Sequence, residues 1–215
     1  MRLVIGPLNY SSWSLRPWLA LEHAGAPFKT HEIQLFVDPD YRDKILQFSG
    51  AGTVPILVDG NLSVHESLAI CEYVAERFPD AHLWPADSRL RARARAVSAE
   101  MASGFTHVRS NMPMNFRGRA RAFHPDDDTA REISRILDIW GASLSTSPGD
   151  FLFGTFGIAD CMYMPVLSRF RTYGVSLEGR TAEWASRMWA HPAVLKWVEV
   201  AAESVSIPHY DAYCD

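Results

Sequence analysis

Two short stretches, Val54-Pro55 and Glu66-Ser67, carry residue types suited to holding a small charged molecule. Pro55 has no N–H to give a sheet, so it stands at a strand start or on a turn. A Val-Pro bond reaches the cis form for only about 0.5–1 kcal/mol. A bend there leaves the N–H and C=O of Val54 free to pair with an extended ligand as an added strand would. Glu66-Ser67 opens a helical pattern, and the unpaired amides and positive dipole end of a helix start suit a carboxylate. Glu66 itself offers a negative charge to an ammonium group. A backbone slot beside sites for the two charges of an amino acid describes a small γ-glutamyl peptide.

The elements that must position these groups follow from local pattern. Ile56-Leu57-Val58 is β-prone and Asp59-Gly60 is a hairpin turn signal. From His65 the apolar residues Leu68, Ile70, Cys71, Val74 and Phe78 take helical spacing. Upstream, Leu3-Val4-Ile5 reads as a buried strand, and Asn9-Tyr10-Ser11-Ser12 as polar turn material able to cap a helix. That helix runs from Trp13 to Gly25, with Pro17 in its first turns. Phe28 to Leu35 alternates as a strand, and Asp38-Pro39-Asp40 opens a short helical stretch through Leu46. The order β-α-β-α-β-β-α within about 80 residues is that of a thioredoxin-like domain. Pro85-Ala86-Asp87-Ser88 then leads into helical patterns only: Leu90–Arg109, Pro125-Asp126 to Leu144, Gly157 past Phe170, Glu183–Trp189 and Pro192–Val205. The expected fold class is α/β plus all-α: a thioredoxin-like domain over 1–80, a linker over 81–88 and an all-helical domain over 89–215.

Thr53-Val54-Pro55, Glu66-Ser67 and Ile70-Cys71-Glu72-Tyr73 resemble the glutathione-binding half of the soluble glutathione S-transferases. The resemblance covers nearly the whole chain. Phe151-Leu152-Phe153-Gly154 through Gly157-Ile158-Ala159-Asp160 is similar to the family's capping box, usually Ser or Thr followed three residues later by Asp. Gly157 replaces the hydroxyl residue here, and Asp160 reads as a folding residue. The resemblance implies glutathione as co-substrate, no metal, and a small electrophile as second substrate. It also implies a two-fold homodimer through the third helix and the long Leu90–Arg109 segment.

Glutathione chemistry needs a thiolate, and lowering a thiol pKa by about two units takes roughly 2.7 kcal/mol. A hydrogen bond to the charged sulfur supplies about 1.5–3 kcal/mol, and a helix N-terminus adds about 0.3–1 kcal/mol. Both are offered at Tyr10-Ser11-Ser12-Trp13. Ser11-Ser12-Trp13-Ser14-Leu15-Arg16 resembles the Ser-Ser-Cys-Ser-x-Arg run of the zeta class, whose active serine stands five residues before the arginine. That places the role on Ser11, with Ser12 next and Tyr10 as the choice if the site resembles the tyrosine classes. No cysteine stands here, so protein-thiol exchange has no nucleophile, and Trp13 in place of the cysteine of that run counts against the zeta-class isomerase activity while leaving thiol activation intact. Thr53 stands where many relatives carry a lysine for the glycyl carboxylate, which leaves Gln47 or Lys44 as donors.

The electrophile must approach from the helical half. His107 to Arg117 mixes Met112, Met114 and Phe116 with Asn111, Asn115 and Arg117 around Pro113. Met112 and Met114 are expected to grip it, Arg109 or Arg117 to meet any negative charge, and Tyr10 and Trp13 to form the opposite wall. Glutathione-dependent isomerase, dehalogenase and peroxidase reactions use the same first half, and a non-catalytic binding or dimerisation protein is a further class.

Composition narrows the rest. The chain has 215 residues, 47% hydrophobic and 21% charged, with net charge −4. This is a globular balance with no electrostatic case for nucleic acid. Arg89, Arg91, Arg93 and Arg95, and Arg117, Arg119 and Arg121, read as solvated faces and loops. No apolar run reaches the length of a membrane span. The three cysteines are widely spaced, without a disulfide or zinc pattern, which suits a reducing cytoplasm.

Overall fold

The computed structural model describes residues 1–120 and 122–214. Arg121, which closes the second basic run, lies outside the described residues. The chain begins β1 (Arg2–Ile5), α1 (Ser12–His23), β2 (Lys29–Glu32), α2 (Tyr41–Leu46), β3 (Ile56–Asp59), β4 (Leu62–His65) and α3 (Ser67–Arg77). The four strands form one sheet in the order β2-β1-β3-β4, with β1 parallel to β2 and antiparallel to β3. This is the thioredoxin-like arrangement expected from the element order.

Strand periodicity sorts the core. Leu3, Ile5 and Leu57 pack with Leu15 and Leu19 of α1 and Ile70 and Val74 of α3. Val4 and Ile56 face the other way, onto Ile33 and Ile45 of α2. Lys29-Thr30-His31-Glu32 occupies the sheet edge with polar, mostly exposed residues, which suits an edge strand. The strand ends short of Leu35 because Ile33 makes the last bond to β1 and Phe36 turns left-handed at φ 65°.

A helical half follows: α4 (Ser88–Ser103), α5 (Thr106–Asn111), α6 (Asp127–Thr146), α7 (Ile158–Tyr173), α8 (Gly179–Ala190), α9 (Pro192–Ala201) and α10 (Pro208–Asp211). Asp87 caps α4 through bonds from Arg89 and Leu90, and Asp126 caps α6 through Thr129. The single helix expected over Leu90–Arg109 is two helices. Phe105 adopts φ 55°, which a right-handed helix does not admit. The Glu132 carboxylate of α6 then accepts from Val108 N at 2.8 Å and satisfies the new helix start. The short α10 has no counterpart among the sequence-derived helices.

α7 is buried along nearly its whole length and packs on α1, so one continuous core joins the two halves. Asp160 anchors its start: the fully buried carboxylate accepts from Leu152 N, Gly157 N and Trp184 Nε1 at 3.1, 3.0 and 2.8 Å. Gly157 stands in place of a hydroxyl residue for a steric reason. A Cβ there would meet the Leu83 carbonyl oxygen at 2.6 Å, and that same oxygen accepts from Ile158 N.

Candidate active site

Ser11 stands at the N-cap of α1, yet its side chain makes no capping bond. Its Oγ lies 2.7 Å from Ser14 Oγ, and Ser14 Oγ accepts from Gly6 N at 3.1 Å. With one Ser14 lone pair occupied by Gly6, the Ser14 proton can go to Ser11, leaving the Ser11 proton for an acceptor outside. The approach is close: a Cβ on Gly6 would lie 3.1 Å from Ser11 Oγ and 2.7 Å from Leu35 Cδ1. Ser12 is buried, and its hydroxyl receives Arg169 Nη2 at 3.2 Å. Ser11 is thus paired with a neighbouring hydroxyl, and Ser12 with a buried guanidinium.

Both serines lie on a cleft of about 840 Å³ between the two halves. Tyr10, Trp13, Leu35, Phe36, Tyr41, Arg42, Gly52, Thr53 and Val54 line it from the sheet-containing half, and Thr106, Arg109, Pro113, Met114, Arg169 and Tyr210 from the helical half. The Val54-Pro55 bond is cis. Among the described residues neither the N–H nor the C=O of Val54 has a hydrogen-bond partner, so an extended ligand finds both open. Glu66 holds φ 77°, a left-handed value uncommon for a residue with a side chain. Its Oε2 accepts from Leu68 N at 3.1 Å while Ser67 Oγ donates to Oε1 at 3.4 Å. Glu66 is exposed and Ser67 buried at the start of α3.

The electrostatics come from guanidinium groups. Arg16 and Arg169 are fully buried and bond only to neutral oxygens: Met162 O and Ser12 O for Arg16, and Met112 O, Pro165 O and Ser12 Oγ for Arg169. Arg109 bonds to Gly104 O, and both Arg16 and Arg109 lie over the Trp13 ring, at 4.1 and 4.9 Å from its centre. Burial, reinforced by the charge of Arg109, pulls the Arg169 pKa down to about 10. Burial and the two neighbouring arginines also pull Arg16 well below the usual arginine range. Among the described residues no carboxylate pairs with any of the three. Arg109 and Arg169 therefore bring positive charge to the cleft wall, with Arg16 behind them.

The remaining candidates are spread more widely. Tyr10 lines the cleft with its ring, but its hydroxyl donates to Asp211 Oδ1 at 2.7 Å and accepts from Ile207 N at 3.2 Å. The hydroxyl is thus occupied. Trp13, Arg109 and Met114 line the cleft, whereas Met112 is completely buried in the core and outside the lining. Met112 gives its carbonyl to Arg169, and Met114, 1% exposed and part of the same core cluster, is the one of the two that also reaches the cleft lining. Arg117 is outside too, its Nη1 donating to Ala202 O at 2.7 Å. Gln47 closes α2 away from the lining, and Lys44 is held by Asp38 and Asp40 at 2.8 and 3.0 Å. Arg42, by contrast, is exposed and lies on the cleft lining together with Thr53 and Val54. Sequence reasoning missed Ser14, Arg42, Arg169 and Tyr210. Only Arg169 carried a signal, a cation within the apolar run from Met164 to Phe170.

Comparison with known proteins agrees with this fold. The glutathione S-transferase N-terminal domain model matches residues 10–77 and the C-terminal domain model residues 126–199. A probable maleylacetoacetate isomerase of Caenorhabditis elegans is 38% identical over 93 residues, spanning 43% of this chain and 42% of that one. The match therefore covers less than half of that relative's length. A stringent starvation protein A homolog of Coxiella burnetii is 26% identical over 85% of this chain and 82% of its own. A sphingomonad glutathione S-transferase, solved in complex with glutathione, has the same fold, with TM-score 0.72, 23% identity and coverage of 94% and 100%. Because the two halves of one family's architecture match in order on either side of the serine cleft, the chain belongs to the glutathione S-transferase family.

Proposed function

We propose that this chain activates the thiol of glutathione with the Ser11 hydroxyl and transfers the sulfur to a small hydrophobic electrophile in the adjoining cleft. Residues 1–80 bind glutathione, 81–88 link, and 89–215 supply the electrophile side. The observation that carries this reading is the Ser11–Ser14 pair. A helix-start serine spared from capping, with Ser14 able to donate to it, is placed to give its own proton to an anion. Val54 pairs with the cysteinyl backbone of glutathione, and Pro55 shapes that slot. Glu66 and Ser67 hold the γ-glutamyl end, and Arg42 meets the glycyl carboxylate more directly than Gln47. A hydrogen bond to thiolate of about 1.5–3 kcal/mol, with the helix end and the buried guanidinium groups, suffices to populate it at neutral pH. No metal is required, and among the described residues no cluster of metal-ligating side chains exists.

The test pairs glutathione calorimetry with conjugation of a generic aromatic electrophile. Ser11→Ala is expected to keep glutathione affinity and to lower turnover at least tenfold, about 1.4 kcal/mol. Unchanged turnover in that variant refutes the assignment. Wild-type protein that binds no glutathione refutes the whole reading and favours a non-catalytic member of the family.

The arginines favour a second reading. Arg109 and Arg169 in the cleft wall, backed by Arg16 and lacking carboxylate partners, suit an electrophile bearing its own carboxylate. Such a pocket suits a glutathione-dependent isomerase acting on an unsaturated acid, and one relative is named as an isomerase. Arg109→Ala raising KM for acidic but not neutral electrophiles supports it.

We also propose a cytoplasmic two-fold homodimer through α3 and α4. Among the described residues no helix is long and apolar enough to cross a membrane. Light scattering that finds only monomer at micromolar concentration overturns the dimer.

A further inference from the structure

Asn9, two residues before Ser11, is fully buried and stands outside the cleft lining. Its Oδ1 accepts from Arg117 N at 2.9 Å, and its carbonyl oxygen accepts from Phe116 N at 2.9 Å. Its Nδ2 donates to Asn115 Oδ1 at 2.7 Å, and its N–H to Ser204 Oγ at 3.4 Å. The nearest of these partners in sequence is 106 positions away. The helical half therefore grips one residue of the Ser11 loop from every polar side.

The direction of these bonds follows from Asp211. An ionised carboxylate only accepts, so the Asn115 carboxamide turns its Nδ2 to Asp211 Oδ1, at 2.8 Å. That leaves Asn115 Oδ1 to face Asn9 and also Gly118 N, the latter at 3.0 Å. Asn9 must then present Nδ2 to Asn115 and Oδ1 to the Arg117 N–H. A flip of either amide sets donor against donor and acceptor against acceptor. The segment that closes on Asn9 is also the one that offers Pro113 and Met114 to the cleft. On its other side, Asn9 lies within one turn, in which Pro7 O accepts from Tyr10 N at 3.0 Å and from Ser11 N at 2.8 Å. Asn9 cannot shift without carrying Ser11 with it.

Building on the reading in which Ser11 activates glutathione, we propose that Asn9 is the positioning residue of the Ser11 hydroxyl, locking that serine in register with the electrophile wall. The Pro7–Ser11 turn has no regular element of its own to hold it, since β1 ends at Ile5 and α1 begins at Ser12. Ser11 Oγ also has little room for error. It lies 2.7 Å from Ser14 Oγ with Gly6 close behind it, and it must keep that pairing while giving its own proton to sulfur. Hydrogen bonds weaken steeply once their geometry is lost. A misplacement of about 1 Å at a reacting centre costs on the order of 100-fold in rate. Asn9 supplies the anchor that prevents it. The groups assigned to grip glutathione, Val54, Glu66 and Ser67, lie elsewhere and do not depend on this anchor.

The experiment titrates the bound thiol, by its thiolate absorbance, in glutathione-saturated wild type, Asn9→Ala and Asn9→Ser. Turnover and calorimetric affinity are measured on the same proteins. Both variants are expected to raise the bound-thiol pKa by at least about 0.5 unit and to lower kcat at least about fivefold. The glutathione dissociation constant should stay within about twofold. Asn9→Ser, which keeps an oxygen on the side chain, carries the test where Asn9→Ala does not fold. In a Ser11→Ala background Asn9→Ser should move neither quantity further, because it acts only through Ser11. A lowered melting temperature with an unaltered bound-thiol pKa in the folded protein makes Asn9 merely structural and overturns the proposal. So does a rise in KM alone, or an effect that persists without Ser11. The Ser11→Ala single variant separates the two levels. If it raises the thiol pKa and the Asn9 variants do not, this inference alone fails; if it leaves both thiol pKa and turnover unchanged, the underlying reading falls and this one with it.

Discussion

Arg169 Nη2 donates to Ser12 Oγ at 3.2 Å, so a helix of the all-helical half holds the serine that stands beside Ser11 at the start of α1. The bond gives the two adjacent serines different work. Ser12 satisfies a buried guanidinium, while Ser11 pairs with Ser14. Ser12→Ala leaves one N–H of a fully buried cation without its acceptor, at a cost of about 1–3 kcal/mol. The expected outcome is a lowered urea midpoint with turnover per folded molecule reduced less than in Ser11→Ala. A Ser12→Ala protein of undiminished stability and collapsed turnover would shift the catalytic role by one residue.

Ser14 is the test of the donor chain from Gly6 N through Ser14 to Ser11. Without the Ser14 hydroxyl, Ser11 has no supplier and turns back toward the α1 amides as an ordinary cap. Ser14→Ala should therefore raise the apparent pKa of bound glutathione, read from the thiolate absorbance, and lower kcat more than it raises KM. A shift in KM alone would show that Ser14 serves only packing.

Glu66 combines two tasks that substitution can separate. Its carboxylate caps α3 through Leu68 N, and its charge is offered to an ammonium group. Glu66→Gln keeps an acceptor for the cap and removes the charge. The glutathione dissociation constant should rise several-fold in Glu66→Gln, with the melting temperature little altered. Glu66→Ala should lose both, the cap costing about 1 kcal/mol. Calorimetry with equal affinities for wild type and Glu66→Gln would remove the ammonium assignment.

The local part of this architecture was legible in the residues. Asp59-Gly60 announces its hairpin, and Val54-Pro55 its bend, because a tight turn or a proline acts on its immediate neighbours. Helix periodicity likewise places α6 and α7 within a few residues of their observed ends. What stayed hidden depends on partners far along the chain. Arg169 reaches Ser12 across 157 positions, and Tyr10 meets Asp211 across 201, so neither bond leaves a mark on nearby spacing. The break at Gly104-Phe105 was missed for a related reason. Its new helix start is satisfied by Glu132 of another helix, 24 residues on, and no cap residue precedes Thr106 to announce it. Met112 and Met114 looked equivalent, and both are buried in one core, with only Met114 reaching the cleft lining as well.

Asp160 is expected to govern folding, not turnover. Three buried donors converge on its carboxylate, and removing it strands all of them. Asp160→Ala should destabilise the protein by about 3–5 kcal/mol. Asp160→Asn should be milder, since one oxygen remains an acceptor. Soluble Asp160→Ala with a wild-type melting temperature would contradict the role.

The last prediction concerns acid. His191 Nδ1 accepts from Ala193 N at 3.2 Å, so its proton sits on Nε2, which faces His23 Nδ1 at 3.2 Å. The His191 ring also stacks on Phe156 with centres 3.9 Å apart. Burial, with the proximity of His23, drives the His191 pKa down to about 4, and burial lowers His23 as well. Both rings are thus neutral where α1 meets the start of α9. An unfolded histidine titrates near 6.5, so between about 6.5 and 4 the unfolded chain holds more protons than the folded one. The stabilisation is complete above that window and is lost as pH falls through it. Asp160 works in the opposite sense. Its carboxyl is raised to about 6 by burial, against the pull of its donors, so its contribution grows as pH falls from 6. The informative quantity is therefore the difference between wild type and His191→Asn, in which an amide oxygen still caps α9 but nothing titrates at that position. Denaturant unfolding at pH 7.5, 6 and 5 should show wild type losing more stability than His191→Asn on acidification. Parallel curves would mean that the histidine pair does not sense protons in this range.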